Sequence, residues 1–153
     1  MRRAYIAFGA NLSNPRETFL NVISALGEAG LIIEAVSSLW HSPAWPPGSD
    51  APDYRNAVLR ILTDREAVDL MRLLLAIEAK LGRVRTVPNA PRSCDLDLID
   101  YAGQISNAEA CLLPHPRMQD RDFVLKPMAE VAPPDWRHPM SRKTISQLLE
   151  ALA

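Results

Sequence analysis

The sequence predicts an α+β fold in which one sheet is covered by helices. Two observations carry this. Strand-like and helix-like segments follow one another as β, α, β, β, α, β before a more helical C-terminal region, and no internal repeat or low-complexity tract interrupts them. With 153 residues and 48% hydrophobic side chains, the chain can bury one substantial core but has little material for a second. Residues 1–153 are therefore expected to form a single domain.

The elements follow from local chemistry. Tyr5-Ile6-Ala7-Phe8 before Gly9 has the character of a buried strand entering a turn. Asn14-Pro15 opens a helix, with Asn at the cap and Pro at the first helical position, where its missing N–H costs nothing. Phe19, Val22, Ile23 and Leu26 recur at three- and four-residue spacing and give that helix a stripe to lay on a sheet. Residues 31–40, rich in apolar and β-branched side chains, predict a second strand that ends at Ser42-Pro43, since Pro cannot continue a ladder. Residues 54–62 predict a third. The Pro- and Gly-rich connection 43–53 is long for a hairpin, and long connections are often functional.

Thr63-Asp64-Arg65-Glu66 has the capping-box pattern, and Ala67, Leu70, Leu74, Ile77 and Leu81 continue as one helical face until Gly82. Residues 95–99 predict a fourth strand, with Ile105 in a short return strand after Gly103. Twelve of the 13 prolines crowd into 43–52, 88–91 and 114–139, which are expected to be shaped loops. Thr144 with Gln147 caps a last helix carrying Ile145, Leu148, Leu149 and Leu152. The order is ferredoxin-like in character.

Composition excludes several classes of function. Lys plus Arg is 17 and Asp plus Glu is 18, so no basic field draws in nucleic acid or an anionic membrane, and neither is an expected partner. The apolar stretches 31–33 and 70–77 are too short or interrupted to span a bilayer, which takes about 20 residues. Met1-Arg2-Arg3 runs directly into a strand without a secretion signal, so the expected location is cytoplasmic. Cys94 and Cys111 form neither a CxxC pair nor a zinc-ligand pattern and are expected to be reduced thiols. GxxxxGK[ST], GxGxxG and GxSxG are all missing, so phosphate would be held by acids, a metal and arginines.

The chemistry concentrates at Asp95-Leu96-Asp97-Leu98. On a strand both carboxylates share one face, with Cα atoms about 6.6 Å apart, while Leu96 and Leu98 enter the other. Paired oxygen ligands suit Mg²⁺, although a solvated sheet edge also presents such a pair. Arg83, Arg85 and Arg92 precede the acids, and His115, Arg117 and Arg121 follow them. A polyphosphate bridged by metal to carboxylates needs cations of this kind, though arginines also cluster on solvated loops. Tyr54 and Asn56 lie two apart on one strand face and offer a ring and an amide to a flat heterocycle, or simply to packing. Glu78, beside the apolar face of its helix, either touches a ligand or pairs with a neighbouring base. Trp45 and Phe123 stand in Pro- or Arg-containing loops, as lid contacts or core plugs.

In their order along the chain these motifs resemble the 6-hydroxymethyl-7,8-dihydropterin pyrophosphokinases over essentially its whole length. Phe8-Gly9-Ala10-Asn11-Leu12 is similar to that family's opening, residues 38–45 to its strand into Thr-Pro-Pro, and Pro52-Asp53-Tyr54-Arg55-Asn56 to its Pro-Asp-Tyr-x-Asn. Ile77-Glu78, Gly82-Arg83-Val84-Arg85, Pro91-Arg92, Asp95-Leu96-Asp97, Pro114-His115-Pro116-Arg117-Met118, Arg121 and Phe123 complete the likeness.

The resemblance implies a ferredoxin-like α/β/α sandwich with a mainly antiparallel sheet, usually monomeric. It implies an enzyme that binds ATP with two Mg²⁺ and then the pterin, and transfers the β,γ-pyrophosphoryl unit to the pterin's hydroxymethyl oxygen. By the same likeness Asp95 and Asp97 would hold the metals, and Arg83 and Arg92 would steady the triphosphate. Glu78, Arg85, Arg92, Leu98, His115 and Arg121 would line the nucleotide site. Ser42, Pro43, Trp45 and Asn56 would meet the pterin edge, with Tyr54 and Phe123 on its faces. The sequence departs from the family pattern in three places: Asn89-Ala90 stand where a Trp often precedes Gly-Pro-Arg, Leu75 replaces a Gln, and Ala44 replaces the second Pro of a pair. Two rival readings remain, a ferredoxin-like binding domain without chemistry and a metal-dependent nucleotidyl or glycosyl transferase using the same DxD.

Overall fold

The computed structural model describes residues 1–11, 14–43, 47–48, 53–82 and 94–153. Its central sheet contains β1 (Arg2–Ala10), β2 (Ile32–Val36), β3 (Trp40–Ser42), β4 (Tyr54–Thr63) and β5 (Cys94–Tyr101) in the order β2-β4-β1-β5, with β3 paired to β4 beyond the end of β2. Every pairing among them is antiparallel. A small hairpin, β6 (Ser106–Ala108) and β7 (Cys111–Leu113), follows. The helices are α1 (Pro15–Glu28), α2 (Ala67–Gly82), α3 (Asp122–Val131) and α4 (Ile145–Leu152).

The two faces of the sheet bury different helices, which makes the α/β/α sandwich. Ile6, Phe8, Leu59, Leu96 and Leu98 pack with Phe19, Val22 and Leu26 of α1 and Leu70, Leu74 and Ile77 of α2. On the opposite face Tyr5, Ala7, Val58 and Ile99 pack with Val124, Leu125, Met128 and Val131 of α3 and Ile145 and Leu148 of α4. Leu26, Leu70 and Leu74 have no exposed area, and each contributes about 1.5–3 kcal/mol by leaving water.

The start of α1 is as expected, since the Asn14 side chain accepts from the Glu17 N–H. The start of α2 is not. Thr63 closes β4 and its hydroxyl accepts from Arg65, two residues on, so the expected capping box gives way to a turn.

Three further expectations change. Residues 31–40 do not form one strand, because Ser37 to Leu39 leave the ladder between β2 and β3. Ile105 lies outside β6 and is exposed. The region 114–139 is not simply loop, because α3 crosses it with Pro127 buried inside the helix. Phe123, expected in a loop, is the second residue of that helix.

Candidate active site

The site is built on three neighbouring strands. The registers of β4, β1 and β5 put Asn56, Gly9 and Asp95 in one row and Val58, Ala7 and Asp97 in the next. At a strand spacing of about 4.8 Å, Asn56 and Asp95 stand roughly 10 Å apart across Gly9. Small residues on β1 leave this end of the sheet open, forming a floor between the amide on one side and the two acids on the other.

The walls close a cavity of about 510 Å³, a size typical of small-molecule sites. Ser42, Pro43, Tyr54 and Asn56 form one wall and Asp95 and Asp97 the other, while Arg121, Asp122, Phe123 and Val124 at the start of α3 form the roof. The cavity begins where the α3 core ends, since Ala7 and Val124 belong to both.

The amide wall is held from behind. The Asn56 amide nitrogen donates to Ser42 Oγ at 2.7 Å and to the Trp40 carbonyl at 3.5 Å. At the base of the connection 43–53, His41 Nε2 and Asp53 Oδ2 lie 2.6 Å apart. On the roof, the Arg121 guanidinium sits 5.6 Å from the centre of the Phe123 ring. Phe123 keeps 37% of its surface exposed, so its ring is available to a ligand.

The acid wall matches a hard cation. Asp95 is exposed and Asp97 half-buried on one face of β5, and both line the cavity. Among the described residues no three side chains of ligand type cluster together. Such a donor set fits Mg²⁺, which typically takes one or two carboxylates and completes its shell with phosphate oxygens and water.

His115 is tied to the acid strand by its N–H, which donates to the Ile99 carbonyl at 2.9 Å. Burial lowers the pKa of its imidazole, Asp97 opposes that, and Arg121 and Arg117 add to it. Its Nδ1 accepts from the Arg117 N–H at 3.1 Å, so in the neutral ring the proton sits on Nε2. Cys94, next to Asp95, is buried and pushed up to about 12 by that burial and by Asp95 and Glu78. It stays a thiol, and no nucleophilic role follows.

Two residues expected at the nucleotide site, Leu98 and Glu78, do not line this cavity. The Leu98 side chain lies in the α1/α2 core, 2% exposed, and does not line the cavity. Glu78 reaches the outer edge of β5, where Oε1 accepts from the Leu96 N–H at 2.8 Å. Arg83, Arg85, Arg92 and Trp45 lie outside the described residues. The sequence reading missed Ala7 and Gly9 as floor and Asp122 and Val124 as roof. The period of two along β1 could have paired Ala7 with Gly9, but nothing local says which face of that strand meets the acids.

A family profile described as 7,8-dihydro-6-hydroxymethylpterin-pyrophosphokinase matches residues 5–133. The chain is 40% identical over 148 residues to the 2-amino-4-hydroxy-6-hydroxymethyldihydropteridine pyrophosphokinase of Synechocystis sp., covering 96% of this chain and 74% of that protein. It is 39% identical over 145 residues to the protein of the same name from Pseudomonas aeruginosa, covering 90% of this chain and 88% of the relative. It is also 34% identical over 149 residues to the folic acid synthesis protein fol1 of Pneumocystis carinii, where 97% of this chain matches 20% of a much longer protein.

Proposed function

The chain belongs to the 7,8-dihydro-6-hydroxymethylpterin-pyrophosphokinase family, whose members pass pyrophosphate from ATP to a hydroxymethyl-dihydropterin in folate biosynthesis, and we propose that the cavity beneath α3 is where this occurs. The observation that carries the assignment is the opposition of two walls across Gly9, an amide beside the Tyr54 ring on one and paired carboxylates on the other, with the Phe123 ring on the roof between them.

The pterin edge meets Asn56, which is already oriented by Ser42, while the rings of Tyr54 and Phe123 cover its faces. Ser42 and Pro43 complete that end, and Trp45 is assigned to it from the sequence alone. The hydroxymethyl group then points along the row toward β5. Asp95 and Asp97 hold the metal ions. Two bound Mg²⁺ would supply charge neutralisation for the triphosphate and for the departing AMP.

In the transfer the hydroxymethyl oxygen bonds to the β-phosphorus, the bond from that phosphorus to the α,β-bridging oxygen breaks, and the hydroxyl proton is released. AMP leaves with the bridging oxygen. Such a reaction depends on alignment and charge more than on covalent help, which suits a site without an activated nucleophile. Arg121 on the roof and the Nε2–H of His115 are assigned to the triphosphate, and Arg83, Arg85 and Arg92 are assigned to the same anion from the sequence. Leu98 serves through its backbone. The Leu96 N–H points away from β1 toward Glu78, and the alternation of an antiparallel strand turns the N–H and C=O of Leu98 to the same outer edge. An adenine laid along that edge finds one donor and one acceptor there.

The test is product analysis. AMP, and not ADP, should appear only when ATP, Mg²⁺ and the hydroxymethyl-dihydropterin are all present, and Asp95→Asn or Asp97→Asn should abolish turnover. Near wild-type turnover in either variant would refute the metal assignment, and ADP as product would refute the reaction.

A further inference from the structure

We propose that Glu130 is a positioning residue that holds β3 against α3 and thereby sets the width of the pterin end of the cavity, an inference that rests on the site assignment above. The two walls of that end come from different elements. Ser42 and Pro43 are carried by β3 and its exit, while Phe123 and its neighbours are carried by the first turn of α3. The separation between β3 and α3 is thus the gap into which a flat ring slides.

β3 is the weakly tied partner. It pairs with β4 over three residues only, and the chain leaves the ladder just before it. α3 needs no help to stay on the sheet, since Val124, Leu125, Met128 and Val131 anchor it. Glu130 lies seven residues beyond Phe123, two helical turns along the same face. Its Oε1 accepts from the Ser38 N–H at 3.1 Å and from the Ser38 hydroxyl at 2.8 Å, and its Oε2 accepts from the Trp40 indole N–H. Burial pushes this carboxyl upward, but the donors on Trp40 and Ser38 outweigh burial and hold it below the usual carboxylate value. It is therefore charged at neutral pH, and both oxygens are engaged.

From there the contacts run directly to the cavity wall. Trp40 is the register partner of Asn56 and accepts from its amide, and Ser42, two residues on, accepts the same amide at 2.7 Å. Freeing Trp40 and Ser38 from Glu130 lets β3 move, and the orientation of Asn56 moves with it. The nucleotide end, on β5 and at His115, has no such dependence.

The experiment compares Glu130→Ala, Trp40→Phe and Asn56→Ala in the full chain. Pterin affinity is measured with a non-hydrolysable ATP analogue and Mg²⁺ present, affinity for the analogue is measured alone, and Tm is recorded. Glu130→Ala should weaken pterin binding tenfold or more and raise the pterin KM in step. The analogue Kd and kcat should each change less than about threefold. Trp40→Phe, which deletes one of the three donors and keeps the ring, should weaken pterin binding less and add little in the Glu130→Ala background. If Glu130→Ala fails to fold, Trp40→Phe and Ser38→Ala carry the test with the same expected split. Unchanged pterin affinity in the folded variants, or equal loss for both ligands, overturns the proposal. Weakening by Asn56→Ala but not by Glu130→Ala overturns the tie alone. If neither variant alters pterin affinity, the site assignment falls and the tie with it.

Discussion

At Gly9 a single methyl group decides how closely β1 can pass beneath Asn56. A Cβ built there would stand 3.3 Å from Asn56 Oδ1 and 3.9 Å from the Tyr54 ring, the first closer than ordinary contact. Asn56 cannot yield freely, because its amide nitrogen is held at 2.7 Å by Ser42. Gly9→Ala should therefore displace the amide or break that hydrogen bond. A displaced amide that loses one hydrogen bond to the pterin costs about 1 kcal/mol of binding, so pterin affinity should fall roughly fivefold, with a small drop in Tm from the weakened contact with Ser42. Titration of the pterin into the variant with an ATP analogue present checks this, and unchanged affinity would mean that Oδ1 does not face the ligand. The example also shows what sequence could and could not say about the site. The residue types and spacing at Asp95, Asp97, Tyr54 and Asn56 allowed metal and heterocycle chemistry but equally a solvated sheet edge and plain packing, and the structure brings all four to one cavity. Gly9 and Ala7 carry no chemistry of their own and matter only as the space between two walls, a property of sheet register that composition does not record.

Elements were legible where their signals are local. The caps at Asn14 and Thr144 each act over three residues, and both form as expected, Thr144 with Gln147 as a complete capping box. Thr144→Ala removes the acceptor for the Gln147 N–H and should cost about 1 kcal/mol of stability, read as a lower denaturation midpoint with unchanged activity. An unchanged midpoint would show that packing of Ile145 and Leu148 alone holds α4. Elements were obscured where distant contacts decide. The break between β2 and β3 coincides with Ser38, whose N–H is taken by Glu130, 92 positions away, and no window along the chain contains both. α3 was hidden for a different reason. Val124, Leu125, Met128 and Val131 have helical spacing, but Pro127 among them carries the usual signal for a helix end. The buried face outweighs the one backbone bond that Pro127 cannot make.

The molecule as a whole is unequal across its sheet. The α1/α2 face of β4 buries the uncharged Thr63 beside Ile61, whereas the α3/α4 layer encloses a carboxyl and an imidazole, Asp100, 3% exposed, and His138, 6% exposed. A bulge at Ile99 places Ile99 and Asp100 consecutively on that second side, where Trp136 donates to Asp100 Oδ2 at 3.3 Å. Burial raises the Asp100 pKa from its ordinary 3.8, and the donors on Trp136, Gly103 and Tyr101 only partly oppose it. Its neutral form is the one the fold prefers, so the stability it contributes is complete below pH 3.8 and is lost as pH rises through the raised value. His138 works in the other direction. Burial lowers its pKa from the ordinary 6.5, and its Nδ1 accepts from the N–H groups of both Met140 and Ser141 at 3.2 Å. Protonation there removes the acceptor from both bonds, so its contribution is complete above pH 6.5 and is lost as pH falls through the lowered value. Urea unfolding between pH 4 and 8 should therefore show Asp100→Asn more stable than the parent chain at pH 7, by on the order of 1 kcal/mol, with the gain shrinking toward pH 4. His138→Asn, which keeps an acceptor but does not titrate, should narrow the loss on the acid side and leave pH 8 nearly unchanged. A lower midpoint for Asp100→Asn at pH 7 would mean that the buried carboxylate is ionised and compensated, and that the second layer is held together by its charge rather than strained by it.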